Sequence, residues 1–440
     1  MNNKKWMAIL LGGIMAASLA APCSVSAAEK TTLTFWHAMG GTNGEVLQQI
    51  VDDFNASQDE IEVKAEYQGT YDDTITKLKA ALQSDSGLPD VCQMYDVGTK
   101  FMYDSGAVIP VEDKFESTGY DKSSVMEVIS SYYTVDGKQY AMPFNVSTPM
   151  LYYNKDVFEA AGLDPETPPT TYDEVLEDAK KIVESGAAPV GYSQAIYGWF
   201  FEQQLAGLGV TYGNNDNGRK EAVTAVDFDS NGGGLKVFDM WKKLYDSGCF
   251  EDYGTTTADT QTAFFSGQVG MIIESTAILK NAVDSSPFEV GTGYLPRIEQ
   301  NDEGGVIIGG GSLWLTDTGN EANEDAAWKF IEYITTPDVQ AKWSMGTGYF
   351  AINEKAYETD DMKAYLKENP NFETAINQLK DSPVNCNTAG VLSGVQTEAR
   401  LTFNEIIPQV YDGKLTTQEA VDQLAASVNK AIENYNESIK

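Results

Sequence analysis

Short apolar runs alternate with stretches of helical periodicity over the first hundred residues of the chain. Residues 33–36 form an apolar run of strand length, and residues 46–54 place their apolar side chains on one helical face. Residues 61–67 alternate apolar and polar positions, and residues 90–95 indicate another strand. Strands that alternate with helices in this way predict parallel βαβ units and an α/β fold.

The alternation continues through the rest of the chain. Thr171 and Thr416 each precede a glutamate by three residues, which is the capping-box pattern at the start of a helix. Residues 270–274 and 307–314 indicate buried strands, and the second of them contains three consecutive glycines. A chain of 440 residues with this pattern predicts two or three domains.

The first 27 residues have the pattern of an export signal. Two lysines precede an apolar stretch over residues 7–21, and Val25 and Ala27 fit cleavage after Ala27. The stretch is short for a membrane span, so we expect an exported, soluble chain in the periplasm or at the cell surface. Cys23 follows small residues as a lipoprotein cysteine does, but Pro22 directly before it is unusual, so lipidation stays an open and unfavoured alternative.

Composition excludes several classes of function. The formal net charge is −35, which repels nucleic acid and anionic membranes. His37 is the one histidine, and the four cysteines contain no CxxC pair, so we expect no metal, no cofactor and a structural His37. At most one disulfide can form among the three cysteines that remain after cleavage. Paired carboxylates for glycoside hydrolysis stay open because acidic residues are abundant.

Residues 143–156, PFNVSTPMLYYNKD, form the most informative segment of the chain. Ser147 and Thr148 place hydroxyl groups beside Pro149, and an apolar run and a polar stop follow. This pattern is typical of a strand that leaves one lobe of an α/β protein and enters another, where ligands often bind. Several aromatic residues near predicted strand ends favour a polar, polyol-like ligand, because aromatic rings cover apolar CH faces.

Seven segments resemble one known family in order and spacing. They are TFWHAMGG (34–41), YQGTY (67–71), QMYDVGT (93–99), PFNVSTPMLYYNKD (143–156), GLDPETPP (162–169), IIGGGSLW (307–314) and TGYFAI (347–352). From about residue 33 to its end, the chain resembles the periplasmic glycerol-3-phosphate-binding proteins of ABC importers. The resemblance implies a two-lobed periplasmic-binding-protein fold of the maltose-binding type (type II), with the ligand cleft between the lobes.

The resemblance also implies lobe boundaries. After the signal peptide of residues 1–27, lobe one would contain residues 28–143 and 277–349. Lobe two would contain residues 144–276 and 350–440.

The ligand residues of that family can be carried over position by position. The corresponding residues are Tyr71, Asp96, Ser147, Trp199, Ser275, Gly310, Tyr349 and Arg400. A phosphate requires converging donors, and Arg400 can supply a bidentate, charge-assisted pair. Asp96 stands where the family has glutamate, and we expect it to face the polyol end, away from the phosphate. Ile196 replaces a family tryptophan on the same side.

The resemblance therefore implies an exported substrate-binding protein that performs no chemistry. Its ligand would be glycerol 3-phosphate or a related glycerophosphodiester, and its partner would be an ABC permease in the membrane. We expect a monomer that binds a small molecule and no nucleic acid. A neutral-sugar-binding subunit of an ABC importer is the alternative, and an extracellular hydrolase is a third, less favoured one.

Overall fold

The computed structural model of the chain describes residues 30–84 and 87–439, so the predicted signal peptide and Cys23 lie outside the described residues. The strands are β1 (Thr31–His37), β2 (Ile61–Tyr67), β3 (Val91–Tyr95), β4 (Val108–Ile109), β5 (Thr134–Val135), β6 (Lys138–Gln139), β7 (Met142–Ser147), β8 (Pro149–Asn154), β9 (Val190–Ser193), β10 (Val269–Ser275), β11 (Val290–Gly293) and β12 (Gly309–Thr316).

Helices follow or separate these strands along the whole chain. They are α1 (Gly41–Ser57), α2 (Tyr71–Ser84), α3 (Thr99–Asp104), α4 (Val111–Thr118), α5 (Glu127–Ser130), α6 (Lys155–Ala160), α7 (Tyr172–Ser185), α8 (Gly198–Gly207), α9 (Asn214–Gly218), α10 (Gly233–Tyr245), α11 (Thr257–Phe265), α12 (Leu279–Ser285), α13 (Glu321–Ile334), α14 (Pro337–Thr347), α15 (Asp360–Glu368), α16 (Asn371–Asp381), α17 (Gln396–Tyr411) and α18 (Thr417–Ser438).

Two large sheets define two lobes. The sheet of lobe one has the order β2-β1-β3-β12-β4, and β7 also pairs with β12. Strands β1, β2 and β3 run parallel, as the sequence predicts, whereas β12 is antiparallel to β3, β4 and β7. The sheet of lobe two has the order β11-β8-β10-β9, in which β8 is antiparallel to both neighbours. The fold is therefore α/β and two-lobed, as expected.

The central strands of lobe two are buried on both faces. Met150 and Tyr152 of β8 pack into a core that continues from lobe one, and Leu151 and Tyr153 pack into a second core on the opposite face. Helices α7, α8, α10, α17 and α18 supply most of that second core. An apolar run such as MLYY is expected where a strand is covered on both sides.

The ends of two predicted helices agree with their sequence signals. Thr171 and Thr416 each accept a hydrogen bond from the backbone of the glutamate three residues on, and both capping boxes are complete. Gly186 ends α7 in the left-handed region with φ 75°, a conformation that glycine adopts without steric cost.

The chain passes from the sheet of lobe one to the sheet of lobe two at Thr148. β7 stays in the lobe-one sheet through Ser147 and β8 begins the lobe-two sheet at Pro149, so the passage lies four residues after the predicted boundary at residue 144. Strand β11, which the prediction placed in lobe one, pairs with β8 in lobe two. The return to lobe one therefore lies between β11 and β12, because β12 pairs with β3.

Two further expectations concern cysteines and membranes. Cys92, Cys249 and Cys386 are free thiols that form no disulfide with one another. Across residues 30–84 and 87–439, no helix combines the length and apolar character required to cross a bilayer.

Candidate functional site

Arg400 and Asp96 meet across the interface between the lobes. Asp96 begins a short 3-10 turn directly after β3 in lobe one, and Arg400 lies in the first turns of α17 in lobe two. Arg400 Nη2 donates to Asp96 Oδ2 at 2.7 Å, and the two side chains are 8% and 7% exposed. The sequence places Asp96 at the polyol end of the ligand and does not predict this contact, in which the two opposite charges form a buried ion pair.

Glu202 of α8 holds the other edge of the same guanidinium. Arg400 Nε and Nη2 donate to Glu202 Oε1 and Oε2, each at 2.7 Å, and Gln396 Nε2 donates to Oε1 at 2.7 Å. Burial alone lowers the pKa of Arg400, but Asp96 and Glu202 outweigh it, so its pKa is raised well above the ordinary value. Arg400 Nη1 has no hydrogen-bond partner among the described residues, so two N–H groups remain for a ligand.

Tyr71 and Tyr349 converge on Asn145. Asn145 Nδ2 donates to the Tyr71 hydroxyl oxygen at 2.7 Å. Burial raises the pKa of Tyr349, and hydrogen bonding with Asn145 and Tyr71 opposes that rise. The ring of Tyr71 stacks on Tyr95, with centroids 5.0 Å apart and planes 7° from parallel. These contacts hold both predicted tyrosines in place beside Asn145.

Tyr95 makes a second contact between the lobes. Its hydroxyl group shares a hydrogen bond of 2.9 Å with the hydroxyl of Thr397 on α17 and donates to Asp72 Oδ1 at 3.0 Å. Thr397 lies three residues before Arg400, so this contact and the Asp96 ion pair hold the same helix against lobe one. The lobes are thus in contact along the cleft.

Ser147 and Ser275 lie at strand ends that meet where the chain passes between lobes. Ser147 pairs with Gly309 of β12, and Ser275 pairs with Pro149 of β8. The buried Ser147 hydroxyl makes no hydrogen bond to another described side chain or backbone group. Ser275 Oγ accepts from the backbone of Ala277 at 3.1 Å, which leaves its hydroxyl proton to donate.

Gly310 occupies a place where no side chain fits. Its φ is +90°, and a Cβ atom built there would lie 1.9 Å from the carbonyl oxygen of Asn145. The close approach of β12 to β7 therefore requires glycine at this position. It brings the Gly310 backbone next to Asn145, and so next to the two tyrosines of the site.

Trp199 and Tyr197 form an aromatic wall beside Arg400. The guanidinium carbon of Arg400 lies 5.8 Å from the Tyr197 ring centroid, and the Tyr197 and Trp199 centroids are 6.2 Å apart. Trp199 packs against Gly309, where a Cβ would lie 2.7 Å from the indole ring. The buried Trp199 Nε1 has no hydrogen-bond partner in the described part of the chain, and such an unpaired donor is costly unless a ligand or water accepts from it.

The structure thus joins the predicted residues into linked groups at the lobe interface. Sequence reasoning missed Glu202, although a glutamate inside the apolar run WFFEQQLAG is a signal that could have marked it. It also missed the structural role of Asn145, which lies inside the most informative motif. The prediction for His37 agrees with the structure, because it is buried, accepts from the Met39 backbone and has its pKa lowered to about 4 by burial.

A cavity of about 560 Å³ lies elsewhere, in lobe two. Its wall includes Tyr294, Arg297, Gln204 and Gln378, and none of the predicted site residues. Gln204 and Gln378 use their amide groups in hydrogen bonds within the fold. In the described residues, no group of three or more histidine, cysteine or acidic side chains is arranged to hold a metal ion.

A two-lobed α/β fold with polar and aromatic residues at the lobe interface is the architecture of solute-binding proteins. The chain belongs to the family of bacterial extracellular solute-binding proteins, which it matches over residues 49–374. Proteins of this kind are the substrate-binding subunits of ABC importers and not enzymes.

Two relatives show how far the similarity extends. The chain is 30% identical over 417 residues to the sn-glycerol-3-phosphate-binding periplasmic protein UgpB of Escherichia coli, with 93% of this chain and 94% of that protein covered. The protein of the same name from Shigella flexneri serotype 5b matches with the same identity and coverage. The similarity therefore covers both lobes.

Solved structures show the same fold. The cyclic alpha-maltosyl-1,6-maltose binding protein from Arthrobacter globiformis is 26% identical with a TM-score of 0.77, covering 92% of this chain and 100% of that one. UgpB from Mycobacterium tuberculosis, in complex with glycerophosphocholine, is 20% identical with a TM-score of 0.79, covering 93% and 100%. The second likeness concerns the fold alone.

Proposed function

We propose that this chain captures glycerol 3-phosphate or a related glycerophosphodiester and delivers it to an ABC permease. The observation that carries the proposal is the buried Arg400 at the lobe interface, whose Nη1 has no partner among the described residues. A guanidinium held in this way can donate two hydrogen bonds to phosphate oxygens. The relatives that are 30% identical and named for glycerol 3-phosphate support the same ligand class.

The other proposed contacts divide between the two ends of the ligand. Ser147, Ser275, the Gly310 backbone and Tyr349 would add neutral donors around the phosphate. Asp96 and Tyr71 would bind the glycerol hydroxyl groups, and Trp199 would pack its ring on the carbon skeleton. These roles are compatible with the free donors on Ser147, Ser275 and Trp199.

The charge of the site favours a phosphodiester over a phosphomonoester. Arg400 contributes one positive charge, and the adjoining Asp96 and Glu202 are two carboxylates. A diester carries one negative charge, whereas a monoester carries about −1.5 to −2 at pH 7. The second charge would be placed beside two carboxylates in a poorly hydrated site, which opposes binding.

A neutral saccharide is the second candidate ligand. It is favoured by the same two carboxylates, which already balance the charge of Arg400 and can accept hydroxyl protons. Tyr197 and Trp199 would cover the CH face of a sugar. The 26% identical Arthrobacter globiformis protein, named for a cyclic maltosyl-maltose, belongs to the same architecture. The extracellular hydrolase considered from sequence gains no support from the family.

Export and assembly complete the proposal. Residues 1–27 would be removed on export to the periplasm or cell surface, with lipidation at Cys23 as the unfavoured alternative. The mature chain would act as a monomer that binds no nucleic acid. Its closed, ligand-bound form would dock on the membrane permease.

Isothermal titration calorimetry with the mature chain tests the ligand. We expect binding of glycerophosphocholine and glycerol 3-phosphate, with the diester at least as tight, and no binding of glycerol. Binding of maltose alone would replace the phosphate ligand with a neutral sugar and leave the transport role in place. Release of a product from glycerophosphocholine or maltose during the titration would contradict the binding function altogether.

A further inference from the structure

Arg219 is a half-buried cation that bridges the two lobes and belongs to none of the contacts described above. Its Nη1 donates to the carbonyl oxygen of Tyr132 at 2.8 Å, and Nε donates to the carbonyl oxygen of Gly390 at 3.1 Å. Its Nη2 donates to the carbonyl oxygen of Ala389. Tyr132 packs in the core of lobe one, whereas Arg219 and the Ala389–Gly390 segment are tied to lobe two through Asn217.

No carboxylate in the described part of the chain pairs with Arg219. Within residues 30–84 and 87–439 it forms no ion pair, and its polar contacts are all to backbone carbonyl groups. Burial lowers its pKa to about 10. The ring of Tyr132 covers the guanidinium carbon at 5.2 Å. Even partial burial of an unpaired charge is costly, and the carbonyl contacts and the Tyr132 ring compensate for that cost.

The backbone before Arg219 is strained in a way that aims this side chain. Asn215, Asp216 and Asn217 have φ angles of 57°, 55° and 58°, so α9 is a short left-handed turn. Asparagine and aspartate enter this left-handed region more readily than other residues with side chains, but three of them in succession are unusual. Strained segments persist where the surrounding structure fixes them and often have a functional purpose.

Asn217 fixes the turn. Its Oδ1 accepts from the backbone of Tyr212 at 2.8 Å and of Gly213 at 2.9 Å, and its Nδ2 donates to the carbonyl oxygen of Cys386 at 2.9 Å. The side chain is buried, so these bonds are shielded from water. Arg219, two residues later, is thereby set rigidly in lobe two with its guanidinium directed at lobe one.

The bridge adjoins the candidate ligand site. Burial raises the pKa of Tyr132 well above its ordinary value, and the charges of Asp96, Arg400, Arg219 and Glu202 all act on its phenol group. Tyr132 therefore contacts Arg219 directly and lies close enough to the Asp96–Arg400 ion pair to feel its charges. The Arg219 bridge and the Asp96–Arg400 ion pair both join the two lobes in the same closed arrangement.

We propose that Arg219 is a positioning residue for ligand capture, which clamps lobe two to the carbonyl edge of lobe one and so sets the closed arrangement in which Asp96 reaches Arg400. It acts through the Tyr132 backbone and touches no ligand. This proposal depends on the geometry of the lobes and not on the identity of the ligand. It therefore applies to any solute that closes the same cleft.

Small-angle X-ray scattering of the ligand-free mature chain tests the clamp directly. Arg219→Met removes the three donors, and we expect a larger radius of gyration than in the unaltered chain. Arg219→Lys keeps the charge with a shorter reach and no planar fork, and we expect an intermediate value. Arg297→Met is the matched control, because Arg297 is exposed and makes no side-chain hydrogen bond or ion pair with the described residues. Identical radii for Arg219→Met, Arg219→Lys and the unaltered chain would overturn the clamp.

A kinetic measurement separates positioning from a general loss of structure. With glycerol 3-phosphate as the probe, stopped-flow fluorescence should show a dissociation rate about tenfold faster in Arg219→Met, as expected when hydrogen bonds from a charged group are lost from the closed form. The association rate should change little, and the thermal unfolding midpoint of Arg219→Lys should stay near that of the unaltered chain. An unchanged dissociation rate would contradict the clamp. If glycerol 3-phosphate fails to bind the unaltered chain, the proposed function fails, and the scattering result alone decides the clamp.

Discussion

Arg400 of lobe two donates a hydrogen bond to Asp96 of lobe one at 2.7 Å, so Asp96 already uses one N–H group of the Arg400 guanidinium. Glu202 occupies the other edge of the same guanidinium through two bonds of 2.7 Å. An anionic ligand must therefore use Nη1, which has no partner among the described residues, or displace Asp96.

Replacing Arg400 with lysine should lower both the stability of the fold and the affinity of the site for its ligand. Lysine cannot donate to Asp96 and Glu202 in the same geometry, so a buried carboxylate loses its partner, and the free energy of unfolding should fall by about 3 kcal/mol. Affinity for glycerophosphocholine should fall about 100-fold, because a bidentate donor to phosphate is lost. Urea unfolding and calorimetry measure the two effects, with the exposed Arg297→Lys as the control. Unchanged affinity in a folded Arg400→Lys chain would mean that the phosphate does not meet Arg400.

Replacing Asp96 with asparagine should strengthen the binding of anions. Asparagine keeps an oxygen that accepts hydroxyl protons but carries no charge to compete for Arg400 or repel a phosphate. The affinity for glycerol 3-phosphate should rise about tenfold, more than the affinity for glycerophosphocholine, because the monoester carries the larger charge. Competition calorimetry measures the ratio between the two ligands.

The control for this change is Asp72→Asn. Asp72 is an exposed carboxylate that accepts from Tyr95 and does not contact Arg400. Asp72→Asn should leave the ratio of the affinities for glycerol 3-phosphate and glycerophosphocholine unchanged. A fall in the affinity of Asp96→Asn for both ligands would show that the charge of Asp96 assists binding, and the assignment of Asp96 as a competitor would be wrong.

Replacing Gly310 with alanine should destabilise the protein by several kcal/mol. The added Cβ would lie 1.9 Å from the Asn145 carbonyl oxygen, and the φ of +90° is itself unfavourable for alanine. Gly319→Ala is the matched control, because Gly319 has a φ of +70° and no atom within 4 Å of an added Cβ. Gly319→Ala should lower the free energy of unfolding only by the cost of placing alanine at a positive φ, about 1 kcal/mol. Equal losses of unfolding free energy would mean that β12 can move away from β7 without penalty.

Local sequence signals predicted the helices and strands well. They predicted contacts between residues far apart in the sequence much less well. The capping boxes at Thr171 and Thr416 form as predicted because each depends on residues three positions apart. The position of β11 was missed, since a four-residue strand ending in glycine has no periodicity that assigns it to a sheet. The Arg400–Glu202 contact joins residues 198 positions apart, which no pattern along the chain can place together.

The pH dependence of stability should contain a component from His37. Burial lowers its pKa to about 4 in the folded chain, against an ordinary value near 6.5, so the folded state binds fewer protons between these pH values. This contribution to stability is fully present above pH 6.5 and is lost as the pH falls towards 4. His37→Gln should therefore lose less stability than the unaltered chain between pH 7 and pH 4.5, by about 2 kcal/mol. Urea unfolding at both pH values measures the difference, and because the chain has one histidine, the effect can be assigned to a single residue. Parallel pH profiles for the two chains would show that His37 is protonated equally in the folded and unfolded states.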